Sequence, residues 1–333
     1  MAPKNTNIIE AKNLVKKFGD LAALDGIDLA IKEKEVFGLL GPNGAGKTTF
    51  INVLLGLLKQ TSGVVYINGL DNTKHIEEIK ESIGMMTQET VVEPELTARQ
   101  NLTLFAELYH VPANMLEKRV NDALKEADLV KFADVKAGTF SGGMKRRLEL
   151  VKSMIHNPPI LILDEPTTGL DIQNRSQLWE RIKELNKAGV TIILTTQYLE
   201  EADVLCDRIA IIDHGKIKAM GTASELKAMV GTGNVLEIVA KADDISDIVK
   251  ILKKYNVEAQ VKGDKITAAL GKDSSKTFTK ITNSIEDDKI QVLAISAHLP
   301  TLDDVFMKLT GSQIRDSTSA ATDSRAKMWR GGR

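Results

Sequence analysis

A chain of 333 residues with 43% hydrophobic side chains is long enough for two domains, or one large domain with an appendage, and can bury a substantial core. The 44 Lys and Arg nearly balance 45 Asp and Glu, so the net charge of −1 excludes a general attraction to nucleic acid or to anionic lipid. The single cysteine, Cys206, excludes an internal disulfide and suits a reducing compartment.

In chain order, Met1–Asn7 lacks the apolar core of an export signal. Asn7–Leu14, Gly26–Ile31 and Val36–Leu40 read as strands. The last runs into Gly41-Pro42-Asn43-Gly44-Ala45-Gly46-Lys47-Thr48-Thr49, and Thr48–Leu58 continues as an apolar-rich helix. Gly, four residues and Gly-Lys-Thr between a strand and a helix is the pattern of a phosphate-binding loop. Its glycines let backbone N–H groups converge on one concavity, and the helix N-terminus adds positive potential there. Lys47 can reach terminal phosphates, and the Thr48 hydroxyl can ligate Mg²⁺. The loop alone does not choose among kinases, GTPases and motor ATPases.

Val64–Ile67 and Ile83–Thr87 read as further strands, the second ending at Gln88. From about Pro94 to Asn157 the period becomes helical, with Leu102, Phe105, Ala106 and Tyr109 on one face and Val120, Leu124 and Ala127 on another. This insert carries Ser141-Gly142-Gly143-Met144-Lys145-Arg146-Arg147 and a helix over Met144–His156, and it stops at Pro158-Pro159. Ile160–Leu163, Thr191–Thr195 and Ile209–Ile212 then alternate with helices, which indicates a largely parallel α/β sheet. Ile160–Leu163 delivers Asp164 and Glu165 at a strand end, where a carboxylate can hold Mg²⁺ directly or through water. Cys206, in the helical stretch Leu199–Cys206, reads as a small buried apolar residue.

Beyond Gly231-Thr232-Gly233 the pattern resets. Strand Val235–Ala240, helix Ile245–Tyr255, a hairpin of Glu258–Val261 and Lys265–Leu270, helix Ser274–Ser284 and strand Ile290–Ser296 give a β-α-β-β-α-β order, a ferredoxin-like arrangement. Thr301–Leu309 reads as a final helix, and Gly311–Arg333, poor in apolar residues, as a disordered tail. No apolar run approaches the roughly 18 residues that span a bilayer.

The order of phosphate loop, Ser-Gly-Gly loop and Asp164-Glu165-Pro166 over residues 5–230 resembles the nucleotide-binding subunit of an ATP-binding-cassette (ABC) transporter. The resemblance implies a P-loop NTPase (RecA-like) α/β domain with a helical subdomain, followed here by a small α+β domain over 235–310. It implies ATP and Mg²⁺ as ligands, with the 41–49 loop on the phosphates, Thr48, Gln88 and Asp164 at the metal, and Glu165 as general base. It also implies that Phe18 stacks on adenine, a sequence-tolerant contact. Ser141, Gly142 and Gly143 would close on the nucleotide of a second copy, and Asp171 belongs to the loop that follows Glu165. Gln88 would sense the γ-phosphate and relay to the membrane subunit.

At Gln197 most relatives carry His. Glutamine cannot titrate, but its amide can still donate a hydrogen bond, so a proton relay there is put in doubt and Glu165 gains weight as the base. Thr195-Thr-Gln-Tyr-Leu-Glu-Glu-Ala-Asp203, Phe140–Leu150 and Pro300–Gly311 are similar to the ATPase subunits of daunorubicin/doxorubicin-resistance-type exporters. The expectations are therefore a homodimer or a pair with a paralogue, a separate transmembrane permease, no nucleic acid, and a place on the cytoplasmic face of the membrane. A soluble, non-transport ABC ATPase is the alternative, although the insert lacks the sustained heptads of a coiled coil. No Asn-Lys-x-Asp guanine reader is present in the sequence.

Overall fold

The structure, a computed structural model, describes residues 7–231 and 233–310. The tail expected over 311–333 lies outside the described residues. The chain divides into two compact units, one through Thr222 and one from Ala223 onward.

The first unit begins with a long hairpin, β1 (Asn7–Phe18) and β2 (Leu21–Lys32), closed by Gly19 in the left-handed region at φ 58°. Phe18 pairs with Leu21 at the hairpin tip. The buried strand β3 (Val36–Leu40) then enters helix α1 (Lys47–Leu54). Next come β4 (Ser62–Ile67), β5 (Leu70–Asp71), α2 (Ile76–Glu81) and β6 (Ile83–Met86). The helical insert supplies α3 (Ala98–Leu108), α4 (Ala113–Glu126) and α5 (Gly142–Ser153). Thr97 and Gln100 form a reciprocal capping box that starts α3. Helix α5 starts at Gly142, two residues before the expected Met144, because the Ser141 side chain caps it. Alternation resumes with β7 (Ile160–Asp164), α6 (Ile172–Lys187), β8 (Thr191–Thr196), α7 (Leu199–Leu205), β9 (Arg208–Asp213) and β10 (Lys216–Gly221).

Two sheets result, an antiparallel one in the order β2-β1-β4-β5 and a six-stranded one in the order β10-β9-β3-β8-β7-β6. In the second, β9, β3, β8, β7 and β6 are parallel neighbours. The period of two along each buried strand divides its side chains between two cores. Phe37, Leu39, Ile160, Ile162 and Ile193 pack with α1 and the antiparallel sheet. Val36, Leu161, Leu163, Ile192 and Leu194 pack on the other face with Leu178, Ile182 and Leu205 of α6 and α7. Each such buried side chain stabilises the fold by about 1.5–3 kcal/mol. The insert has its own core around Leu102, Leu124 and Leu148.

Cys206 follows α7 and lies against Gly38, where an added β-carbon would stand 2.7 Å from its Sγ. Burial, with Glu201 and Asp207 nearby, pushes the thiol well above its ordinary pKa.

The second unit comprises α8 (Ala223–Ala228), β11 (Val235–Ala240), α9 (Ala242–Lys254), β12 (Ala259–Lys262), β13 (Lys265–Ala269), α10 (Ser274–Asp287), β14 (Val292–His298) and α11 (Leu302–Thr310). Its four strands form an antiparallel sheet in the order β12-β13-β11-β14, the split β-α-β topology expected of a ferredoxin-like fold. Ile238, Ile266, Ile248, Leu252 and Ile281 form its core.

Candidate functional site

Parallel register brings the strand ends together. Leu40 pairs with Thr196, and Asp164 with Thr195, so the residues after β3, β7 and β8 all leave the sheet at one edge. Those residues are the 41–49 loop, Glu165 and Gln197. Backbone packing makes glycine obligatory at two places in the loop. A β-carbon on Gly41 would lie 2.3 Å from the Ile212 carbonyl oxygen, and one on Gly46, at φ 114°, 2.6 Å from that of Ala23. Pro42 and Ala45 are buried, Thr49 is half-buried, and Asn43, Gly44 and Thr48 are exposed.

Lys47 and Glu165 are each 5% exposed. The Lys47 ammonium donates to the carbonyls of Gly41 at 2.7 Å and Pro42 at 3.2 Å, and lies 3.5 Å from Glu165 Oε1. Desolvation lowers its pKa, and the Glu165 and Asp164 carboxylates oppose that shift. Glu165 sits at φ 48°, a left-handed conformation that costs a non-glycine residue about 1–2 kcal/mol. Its N–H donates to the Thr195 carbonyl at 3.0 Å, which fixes the bend. Its Oε2 accepts from Gln88 Nε2 at 3.2 Å and from Thr168 Oγ1 at 3.4 Å. Asp164, 4% exposed, accepts from the Thr195 hydroxyl. Lys47, Gln88, Asp164 and Glu165 thus form one cluster around the Glu165 carboxylate and the Lys47 ammonium. Gln197 is half-buried at the end of β8, on a turn where Tyr198 N–H donates to Thr196 Oγ1 at 2.9 Å.

The Ser-Gly-Gly loop lies elsewhere. Among the described residues no hydrogen bond joins Ser141, Gly142 or Gly143 to the 41–49 loop. Ser141 and Gly142 are exposed, and Ser141 Oγ accepts from Met144 N–H at 3.3 Å. Gly143 is buried against Asn174, whose Oδ1 would lie 2.2 Å from an added β-carbon. Asn174 in turn donates to Asp171, through its N–H at 2.8 Å and its Nδ2 at 2.7 Å. These bonds hold the Asp171 carboxyl below the usual carboxylate range. Asp171 and the Gly143 backbone are therefore joined through Asn174, a residue that the sequence reading passed over. Its signal was present, since it stands three residues after an N-cap aspartate. Phe18 is 46% exposed at the hairpin tip, with Lys16 Nζ 4.9 Å from its ring centroid.

Thr48, Gln88 and Asp164 offer hydroxyl, amide and carboxylate oxygens, a hard donor set that suits Mg²⁺. Among the described residues no group of three or more His, Cys, Asp or Glu could hold a metal unaided.

The family model described as "ABC transporter" matches residues 24–168. The chain is 39% identical over 312 residues to a daunorubicin resistance ATP-binding protein of Streptomyces coeruleorubidus, covering 93% of this chain and 97% of that protein. It is 36% identical over 315 residues to a linearmycin resistance ATP-binding protein of Bacillus subtilis, covering 93% of this chain and 100% of that protein. Among solved structures it resembles a dimeric ATP-binding cassette in a post-hydrolysis state with ADP and Pi, at 30% identity and a TM-score of 0.58, covering 64% of this chain and 98% of that one.

Proposed function

The chain belongs to the ABC transporter family as an ATP-binding subunit that hydrolyses ATP, and from that premise we propose how its residues act and what the hydrolysis powers. The observation that carries the reading is the clustering of Lys47, Gln88, Asp164 and Glu165 beside the 41–49 loop. Arriving phosphates draw the Lys47 ammonium away from the Gly41 and Pro42 carbonyls, and this releases Glu165. The freed carboxylate accepts a proton from the water that attacks the γ-phosphorus, and ADP and phosphate leave. Gln88 orients that water and reports the γ-phosphate. The Gln197 amide donates to the same phosphate, and Phe18 stacks on adenine. Mg²⁺ at Thr48, Asp164 and Gln88 would supply charge neutralisation of the phosphates.

Ser141, Gly142 and Gly143 act on the nucleotide of a second copy, with Asp171 and Asn174 shaping the loop from behind. The dimeric cassette among its structural neighbours supports a homodimer. Among the described residues no helix is long and apolar enough to cross a membrane. The subunit works on a separate permease at the cytoplasmic face of the membrane, and the resistance proteins it is similar to support export of a drug-like, lipophilic substrate.

The test is accumulation of a fluorescent amphipathic drug in cells that carry the chain with its co-purifying membrane protein. Cells with the unmodified chain should hold less drug than cells with Glu165→Gln. Equal accumulation would overturn the export reading.

A further inference from the structure

Three charged side chains of α5, Arg146, Glu149 and Lys152, recur every third residue and are only 4%, 1% and 4% exposed. Charged residues at this spacing ordinarily form a solvated helix face. Here all three turn onto one short stretch of backbone, residues 87–91, which leaves β6 toward the insert. Arg146 Nη1 donates to the Thr87 carbonyl at 2.8 Å, and Nη2 to that of Gln88. The same Nη1 meets Glu149 Oε2 at 3.0 Å. Glu149 Oε1 accepts from Val91 N–H at 3.1 Å and from the Thr87 hydroxyl at 3.4 Å. Lys152 donates to the Val91 carbonyl, with its ammonium 4.1 Å from the centroid of Phe105.

A buried ion pair is weak support for stability, because apolar residues of similar volume often serve as well. What this pair does that apolar residues cannot is satisfy the backbone donors and acceptors of one segment. A guanidinium fork can take two successive carbonyls, and the carboxylate beside it both neutralises the charge and receives an amide. The segment held in this way carries Gln88, whose amide reaches Glu165 at 3.2 Å. The helix that holds it begins at the Ser141 cap.

We infer that Arg146 and Glu149 are positioning residues that fasten the 87–91 segment to α5, so that the Ser141–Gly143 loop and Gln88 move as one body. Ser141 faces the nucleotide of the partner copy and Gln88 faces its own. The fastening therefore makes closure on one nucleotide felt at the other, through a contiguous run of hydrogen bonds. The inference rests on the reading of these two loops as parts of the ATP sites.

Two full-length variants test it. Arg146→Lys keeps a cation beside Glu149 but cannot fork onto two carbonyls. Arg146→Met with Glu149→Leu keeps the volume and removes the bonds of both residues to the segment, leaving only that of Lys152 among the three. In both, turnover should fall at least roughly tenfold while KM for ATP changes less than about threefold, because the binding loop is untouched. Amide exchange should rise across 87–92 and stay slow along α5. Turnover within about twofold of the parent in both variants overturns the inference. So does a loss of protection spread equally over α5, since the pair would then serve only the packing of the helix. Failure of the underlying site reading shows separately, as undiminished turnover in Glu165→Gln.

Discussion

Lys47 Nζ and Glu165 Oε1 stand 3.5 Å apart with both side chains nearly sealed from solvent, so the ammonium and the carboxylate neutralise each other. Removing one charge should strand the other in a dry pocket, a cost that bound nucleotide can relieve. Glu165→Gln should accordingly lower steady-state phosphate release by roughly a hundredfold or more. The uncharged amide should still meet Gln88 and should bind ATP at least as tightly, with a dimer appearing on gel filtration when ATP is added. Phosphate release at the parental rate would remove Glu165 as the base.

The position after β8 makes a second test. If the Gln197 amide makes the proposed hydrogen bond to the γ-phosphate, Gln197→Ala should lose about 1.5–3 kcal/mol, and turnover should drop roughly ten- to a hundredfold. Gln197→His should keep activity and add a limb near pH 6.5 or so, where imidazole gains its proton. The measurement is turnover against pH at saturating ATP for parent and both variants. An alanine variant that follows the parent throughout would show that the amide makes no working contact.

Gly143→Ala places a β-carbon 2.2 Å from Asn174 Oδ1, an atom whose neighbour Nδ2 is tied to Asp171 at 2.7 Å. Overpacking of this kind costs about 1–3 kcal/mol, here at the expense of the Asp171 contact. Turnover should fall while ATP binding to the isolated chain is kept. Adding Asn174→Ala opens the space and should return part of the lost activity. If the double variant is as slow as Gly143→Ala alone, the clash is not the cause.

His156 stacks on Tyr109 with ring centroids 3.9 Å apart, and burial drives its pKa from 6.5 down to about 4. The nearby Arg119 pushes the same way, and the Ile83 backbone opposes. A folded-state pKa below the unfolded one means that the unfolded chain binds the proton first as pH falls. The stabilisation is therefore present above pH 6.5 and is lost as pH drops toward about 4. His156→Phe keeps the stack and removes the titration. Its unfolding midpoint should change less than the parent's between about pH 7 and about pH 5. Parallel changes in the two proteins would assign the acid sensitivity elsewhere.

The central strands and the phosphate loop were legible because fully buried runs such as Ile160–Leu163 leave no competing pattern, and because glycines at fixed offsets leave few alternatives. Strands β1 and β2 run longer than their apolar residues suggest, since Lys16, Lys17 and Asp25 interrupt the pattern and register shifts break its period. The pairing of β1 with β4 was hidden because it joins segments far apart in the chain. Gln88 could be placed beside Glu165 only by resemblance. The grip of Arg146 and Glu149 was invisible for a different reason: a charged pair at i and i+3 looks the same whether water or a neighbouring backbone receives it.

The half-buried thiol packed behind Gly38 carries a practical consequence. A thiol held well above its ordinary pKa supplies little thiolate at neutral pH and reacts slowly with alkylating reagents. Cysteines introduced at the exposed Phe18 and Ser141 positions can then be labelled selectively while Cys206 stays in place. A pair of spectroscopic probes attached there would test whether one copy's hairpin approaches the other's helix cap through an ATP cycle.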